Sequence, residues 1–537
     1  MDREASVSGG RRMRLRRMLQ VGRTARRGRV LRVLRELGVV GRRPPTREAA
    51  VEFRKALEEL GTAYLKLGQL LSSRPDLLPD VYIEELGKLV DDVPPVPFAE
   101  IEPVIAEDVG LEVFARLDPT PIASASIAQV HEALLRDGRE VVVKVRRPGI
   151  EHEVELDLDL LRRTAAMLER RSGTAEMLQV GPLAEELEIH LRGELDFEEE
   201  AHNTELIAAL AEDEESIVVP RVIRPHVTER VLVLEKIVGE KVSRRHGLPP
   251  EEAERLAQEF FKFYVRQVTI EGVYHADPHR GNVLLTPDGR LALLDFGLLG
   301  RLDDDTRRSL ALLLLAVAQN RADDVADTIL GLSLTLLDAD EPGFVHELRR
   351  KLPRYHWRPL SGINSGEALA DLQRISVKYG IRLPTSFALV GKTLAQADEI
   401  ARTLYPELDP VGLIREQSLR IVATEAERRL EPSSLLAFVA PQIEELSKLP
   451  RRVGRVIDRL ETGTLKIGIV PTDLDDLGHM VRTSANRLGI AIIVAALLVA
   501  SALMARVSHP LSLAGFSLAA VMGLYMIWKI VRTAGEL

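Results

Sequence analysis

The sequence predicts an α+β chain of two lobes, with a helical extension before them and an apolar helical hairpin after them. Three observations carry this. Helical patterning from residue 46 gives way to β-branched strand patterning across 119–145. The stretch His275–Gly297, HADPHRGNVLLTPDGRLALLDFG, sets two short apolar runs, Val283–Leu285 and Leu291–Leu294, on either side of Pro287-Asp288-Gly289, which is a hairpin signal. Two long uncharged runs, Leu488–Ala505 and Val507–Trp528, the second interrupted only by His509, lie near the C-terminus.

The hairpin stretch also carries chemistry. Asp277 is followed five residues later by Asn282, and Asp295 heads an Asp-Phe-Gly triplet. Phosphoryl transfer from a nucleotide needs one carboxylate near the attacking oxygen, and an Asn with a second carboxylate to hold Mg²⁺ over the phosphates, since Mg²⁺ prefers oxygen ligands. Protein kinases use this same spacing. Either piece alone is weak; the two joined by a hairpin point to a protein-kinase-like site that binds ATP and Mg²⁺. His275 and His279 read as loop-packing residues, because no Cys and no H-E-x-x-H pattern accompanies them.

Composition narrows the alternatives. A chain of 537 residues, 45% hydrophobic and 28% charged, has room for several folding units with a packed core. A net charge of −9 argues against nucleic-acid binding, and 4% aromatics leaves few stacking platforms. The absence of cysteine excludes disulfides, thiolate metal sites and a Cys nucleophile.

Residues 1–45 are rich in Arg and read as a basic, flexible tail; a basic surface helix and an import presequence are the alternatives. Residues 46–118 read as a helical extension. Thr46 suits an N-cap, and Phe53, Leu57, Leu60, Tyr64, Leu67 and Leu71 form a helical stripe. Lys66-Leu67-Gly68-Gln69 lies within it, and Gly68 suggests close approach by another backbone. Pro75 and Pro79 end the helix.

Residues 119–240 read as the first lobe. Strand Glu140–Val145 carries Lys144, placed as a kinase's phosphate-binding lysine is, after a loop that covers the nucleotide. That loop is Ala123-Ser124-Ala125-Ser126, small but without the backbone freedom of glycine. Residues 151–212 are helical and acidic, and several glutamates around Gly193–Asn203 could partner Lys144, with Glu198 and Glu199 assigned to solvent. Strand Arg230–Ile237 ends near Glu235, where a hinge between lobes would meet the adenine through its backbone.

Residues 241–425 read as the second lobe. A helix over 250–273 turns Phe260, Phe261, Tyr264 and Val268 inward, and Gly272 ends it. Further helices are expected at Leu310–Ala318, Ala322–Leu332 and Phe344–Leu352. Residues 426–487 read as a linker with a strand at Thr464–Val470 and a helix at Asp473–Leu488, and 488–530 as a transmembrane hairpin. Arg482, Arg487, Lys529 and Arg532 flank the hairpin, and Arg506 alone sits in its turn. The positive-inside rule then expects an integral protein with its main domain on the cytoplasmic or matrix-like side; a bacterial inner membrane is the expected setting, with an organelle membrane as the alternative.

Several of these pieces together resemble the UbiB family of atypical kinases, also called AarF-domain kinases. They are Lys66-Leu67-Gly68-Gln69, Ala123–Ser126 with Ile127–His131, Val142-Val143-Lys144, Glu194–Phe197, Glu200-Ala201-x-Asn203, HADPHRGN and Asp295-Phe296-Gly297. The resemblance runs from about residue 46 to the C-terminal hairpin. It implies a protein-kinase-like fold with an added helical part that covers the place of a protein substrate. It implies that Lys66 and Gln69 reach over the active site toward Glu194 and Asp196, and that Glu200 partners Lys144. It further implies ATPase activity, lipid binding, and support of ubiquinone or other prenyl-lipid synthesis, with quinone precursors or a lipid-biosynthetic complex as partners. The chain departs from the family pattern at Arg280, where Pro is usual, and at Ser124, which interrupts an Ala-rich run.

Two other readings stand beside an ATP-dependent enzyme. One is a nucleotide-switched scaffold, against which the complete Lys, Asp, Asn and Asp set argues. The other is a protein kinase acting in trans, against which the lack of a Gly-rich loop and of an Ala-Pro-Glu segment argues.

Overall fold

The structure is a computed structural model that describes residues 44–418, apart from short breaks at 73, 75–76, 90–92, 172–179, 243–246, 334–338 and 354–364, together with 17–24, 516–521 and a few isolated positions elsewhere. The expected strand at Thr464–Val470, the helix at Asp473–Leu488 and nearly all of the 488–530 hairpin lie outside the described residues. The expectation of an integral membrane protein is corrected: among the described residues, no helix is long and apolar enough to cross a membrane. Hydropathy of a stretch is necessary for a span, but the span also needs about 20 helical residues in one run.

The helical extension opens with α1 (Arg47–Leu60) and α2 (Thr62–Ser72). The stripe predicts one helix, but Gly61 breaks it with φ 94, a conformation that side chains with a Cβ avoid. Thr46 caps α1 by accepting from Ala49 N at 3.4 Å. After α3 (Asp80–Leu86), the three helices share a core of Leu57, Leu60, Tyr64, Tyr82 and Leu86. Gly68 is approached by side chains and not by a backbone: a Cβ there would stand 2.3 Å from Leu89 Cδ1 and 2.8 Å from Leu57 Cδ1. Gly68→Ala is therefore expected to cost about 1–3 kcal/mol, because flexible methyl ends can shift. A thermal melt checks this; an unchanged midpoint contradicts it.

Part of the basic tail is packed. Residues 17–24 are helical. Arg17 donates to both oxygens of Asp157, at 2.6 and 2.5 Å, and Asp157 is fully buried.

Next come α4 (Phe98–Asp108) and the strands β1 (Phe114–Ser124), β2 (Ala128–Leu135) and β3 (Glu140–Arg146). Helices α5 (Ile150–Arg171), α6 (Val180–Leu195) and α7 (Phe197–Leu210) precede β4 (Ile217–Val218), β5 (Val222–Val227) and β6 (Val231–Glu235). The main sheet has the order β1-β2-β3-β6-β5, all antiparallel. Strand alternation sorts its two faces. Val141, Val143 and Val145 pack with Ile101 and Ile105 of α4. Val142 and Lys144 point the other way, where Phe197 and Ala201 of α7 pack on Leu232 and Leu234.

The second lobe is mainly helical. β7 (Glu240–Lys241) leads to α8 (Pro250–Arg266), whose Phe260, Phe261 and Tyr264 are fully buried, as is Val268 in the π turn that follows. Gly272, with φ 70, ends that turn. β8 (Val273–His275) pairs with β11 (Leu299–Arg301), and between them β9 (Val283–Leu285) and β10 (Leu291–Leu293) form the expected hairpin. Helices α9 (Asp304–Ala318), α10 (Ala322–Leu332), α11 (Glu341–Lys351), α12 (Ser365–Lys378) and α13 (Thr385–Leu404) complete it. A single cluster of buried residues runs from α8 through the hairpin to α13.

Candidate active site

Lys144 and Glu200 come together across the sheet. The Lys144 ammonium donates to both carboxylate oxygens, at 2.6 and 2.8 Å, and lies 5.4 Å from the centre of the Phe197 ring. Glu200 falls on the buried face of α7 because Phe197, Glu200, Ala201, Thr204 and Ile207 repeat at helical spacing. Asp196 caps that helix by accepting from Glu198 N at 3.0 Å. Burial opposes the charge on Lys144, but Asp295, 3.9 Å away, and Glu200 outweigh it and hold the ammonium above the usual lysine range.

The hairpin register explains why Asn282 and Asp295 are neighbours. Val283 pairs with Leu293, and Leu294 N donates to Asn282 O at 3.0 Å, so Asp295 emerges beside Asn282. Asp295 Oδ1 accepts from Gly297 N at 3.0 Å, and Asn203 Nδ2 of α7 donates to Phe296 O at 3.2 Å, fixing the triplet from the first lobe. Burial pushes the Asp295 carboxyl up, but Lys144 and the Gly297 N–H hold it below its ordinary value.

His275 and His279 do structural work. The His275 ring is buried 5.2 Å from that of Phe296, and burial pushes its imidazole down, toward the neutral form. His279 Nδ1 accepts from Gly281 N at 3.0 Å. Among the described residues, no three His, Cys, Asp or Glu side chains gather to hold a metal. The donor set at the hairpin is instead one carboxylate and one carboxamide, Asp295 and Asn282. Such hard oxygen donors suit Mg²⁺, which keeps its other positions for phosphate and water.

The loop between β1 and β2 is tied down by its carbonyls. Ala123 pairs with Val130 in the β1–β2 ladder. Ser124 O accepts from Val93 N at 3.4 Å, Ala125 O from Arg147 Nη1 at 3.2 Å, and Ser126 O from Thr62 Oγ1 of α2 at 3.5 Å. Among the described residues, the buried Ser124 hydroxyl meets no hydrogen-bond partner. An unpaired buried hydroxyl costs stability unless a ligand or water meets it. That fits a loop laid over polar phosphates.

Asp277 meets residues that sequence reasoning had not singled out. Lys392 Nζ and Gln396 Nε2, one turn apart on α13, lie 2.8 and 2.9 Å from the same oxygen, Oδ1. Thr393 Oγ1 donates to Ala276 O at 3.2 Å, and Arg280 pairs with Glu399 at 2.7 Å. α13 thus grips the loop at Ala276, Asp277 and Arg280. Arg280, which departs from the family pattern, gains a partner there. Burial pushes the Asp277 carboxyl up, but Lys392 and Gln396 outweigh it and hold it well below the carboxylate range. The available signal was Lys392 and Gln396 at i and i+4 in a helix otherwise lined by Val390, Leu394 and Ala397.

Lys66 of α2 lies 2.7 Å from Glu194 Oε2 at the end of α6. The Gln69 carbonyl accepts from Ser72 Oγ at 2.6 Å. Asp196 spends its carboxylate on the cap of α7. Glu235 ends β6; its backbone N donates to Arg221 O at 2.9 Å, and its side chain, half exposed, stands 4.0 Å from Arg221. Both groups face Arg221, so the backbone at 236–239, which links the lobes, is the better hinge. There Gly239 admits Leu285 O, 2.8 Å from where a Cβ would sit.

Comparison with known proteins gives a consistent picture. Residues 88–329 match the ABC1 atypical kinase-like domain, 348–409 the UbiB helical domain and 472–532 the ABC1/UbiB kinase-like C-terminal domain. The "uncharacterized protein in hydrogenase 1 5'region" of Clostridium pasteurianum is 31% identical, over 90% of this chain and 93% of its own. A "probable protein kinase UbiB" of Xanthomonas campestris pv. campestris is 31% identical, over 84% of each chain. Among solved structures, the complex of Rv3197 with erythromycin from Mycobacterium tuberculosis matches with 26% identity, a TM-score of 0.45, and coverage of 67% of this chain and 96% of that one. The matched helical domain contains α13.

Proposed function

Because this chain belongs to the ABC1/UbiB family of atypical kinase-like proteins, we propose that it is an ATP-dependent phosphoryl-transfer enzyme. The observation that carries the reading is the closed Lys144–Glu200 pair with Asp295 3.9 Å from the same ammonium. Lys144 would bind the α- and β-phosphates, held in place by Glu200. Asn282 and Asp295 would hold Mg²⁺, which supplies charge neutralisation of the phosphates when bound. The loop Ala123–Ser126 would cover the phosphates, and the 236–239 backbone would face the adenine. Asp277 would take the proton of the attacking hydroxyl. Both of its contacts fall on Oδ1, which leaves Oδ2 for that task.

Family membership supports a finer reading, in which the transfer serves the synthesis of ubiquinone or another prenyl lipid and the acceptor is a small prenyl-lipid precursor. The Lys66–Glu194 pair, which ties the helical extension to α6, favours a small acceptor over a protein loop. The test of the site is nucleotide binding by the purified chain with and without Mg²⁺, beside Asp295→Asn. Mg²⁺ is expected to tighten ATP binding in the natural chain and to leave the variant unaffected. Equal metal dependence in the two would remove Asp295 from the metal site. Firm binding with no metal dependence in either would favour a nucleotide-switched scaffold.

A further inference from the structure

Phosphoryl transfer needs a cation on the oxygens of the moving group, where charge develops. The loop that carries Asp277 does not provide one. Between Asp277 and Asn282 it reads Pro278-His279-Arg280-Gly281, and Arg280 is turned to Glu399 at 2.7 Å. Lys144 is held by Glu200 on the Asp295 side of the site. The cation beside Asp277 comes from elsewhere in the chain: Lys392 of α13, with its Nζ 2.8 Å from Oδ1.

The position of Lys392 is built. Thr393, the next residue, is fully buried and bonds Ala276 O, so the helix cannot slide along the loop without breaking that contact. Gln396 shares Oδ1 with Lys392, so Asp277 keeps a hydrogen-bond donor when Lys392 moves. Other basic groups stand close by. Burial, and then the charges of Lys392 and Lys66, push the His190 imidazole of α6 down. Lys66 and Lys392 come from two helices that lie outside the loop; the first acts on the Asp295 carboxylate and the second on that of Asp277.

Resting on the reading of this site as a phosphoryl-transfer centre, we propose that Lys392 is a catalytic residue that binds the terminal phosphate of the nucleotide, while Gln396 positions Asp277. In the step it serves, the attacking hydroxyl oxygen bonds to the terminal phosphorus. The bond from that phosphorus to its bridging oxygen breaks, and its electron pair leaves on the nucleoside diphosphate. The hydroxyl proton passes to Asp277. Lys392 stays protonated throughout and turns from Asp277 Oδ1 to the oxygens of the moving phosphoryl group.

The test uses the full chain, Lys392→Met and Lys392→Arg. Calorimetric titration compares Mg²⁺-ADP with the Mg²⁺ complex of a β,γ-imido triphosphate analogue, and phosphate release from Mg²⁺-ATP gives kcat and KM. The natural chain is expected to prefer the triphosphate. Lys392→Met is expected to lose that preference with its ADP affinity kept, and to lose about 10²–10³-fold in kcat, the loss seen when one transition-state donor is removed. Lys392→Arg, which keeps the charge, is expected to keep the preference. The proposal is overturned if Lys392→Met keeps the preference, whatever its melting temperature, since Lys392 would then only brace the loop. Failure of the natural chain to bind either nucleotide overturns the phosphoryl-transfer reading itself, and the role of Lys392 with it.

Discussion

Asp277→Asn is expected to lower phosphate release from Mg²⁺-ATP by about 10²–10⁴-fold, the usual contribution of a positioned general base. Nucleotide affinity is expected to change little, because Asp277 lies on the acceptor side of the site and Lys144, Asn282 and Asp295 are untouched. The amide keeps its oxygen toward Lys392 and Gln396, so the loop is expected to hold its shape. Steady-state turnover beside calorimetric binding checks this; a variant with full turnover would deny Asp277 any part in the chemistry.

The pH dependence has a definite sign. The groups facing Asp277 are Lys392 and Gln396, with His279 and the buried Tyr264 hydroxyl nearby. Lys392 and Gln396 hold the carboxyl below its ordinary value against the effect of burial. The ionised form therefore persists as pH falls through the usual carboxylate range, about 4, and is lost only below it. Acid loss of turnover is expected below that range in the natural chain. Removing Lys392 takes away the largest of the groups that hold the carboxyl down, so the acid limb should move up.

The second large effect is on stability. Glu200→Leu strands the Lys144 ammonium on a largely buried strand, with Asp295 at 3.9 Å and the more distant Glu194 left to offset its charge. Breaking such a pair from one side costs about 3–5 kcal/mol, and the low end applies here because a fifth of the Lys144 side chain meets solvent. The double variant Lys144→Met/Glu200→Leu removes both charges and is expected to recover most of the loss, since paired charges replaced together by apolar groups are often neutral. Thermal melts of the two variants decide it. A double variant as unstable as the single would show that packing around Phe197, and not charge, sets the cost.

Much of the site was legible because it is local. The hairpin fixes Asn282 beside Asp295 through register alone, and strand alternation puts Lys144 on the face opposite Val141, Val143 and Val145. Glu200 was harder. Five acidic residues crowd 194–200 without one another's phase being obvious, and only the buried repeat of Phe197, Ala201, Thr204 and Ile207 selects it. The grip of α13 left one faint signal, the polar pair Lys392 and Gln396 in a helix lined by apolar residues, and no sign of what the pair touches. Its contacts with Asp277 and Ala276 span more than a hundred residues, and nothing in local pattern links them. Gly68 taught a smaller lesson: a helical glycine marks close approach, but the neighbours were leucine methyl groups.

The proposed function stands on Asp295 and Lys144 serving nucleotide chemistry. Phosphate release from Mg²⁺-ATP by the purified chain, measured beside Asp295→Asn, tests it most directly. Release is expected from the natural chain and is expected to be lost in the variant. Equal release from both would contradict it.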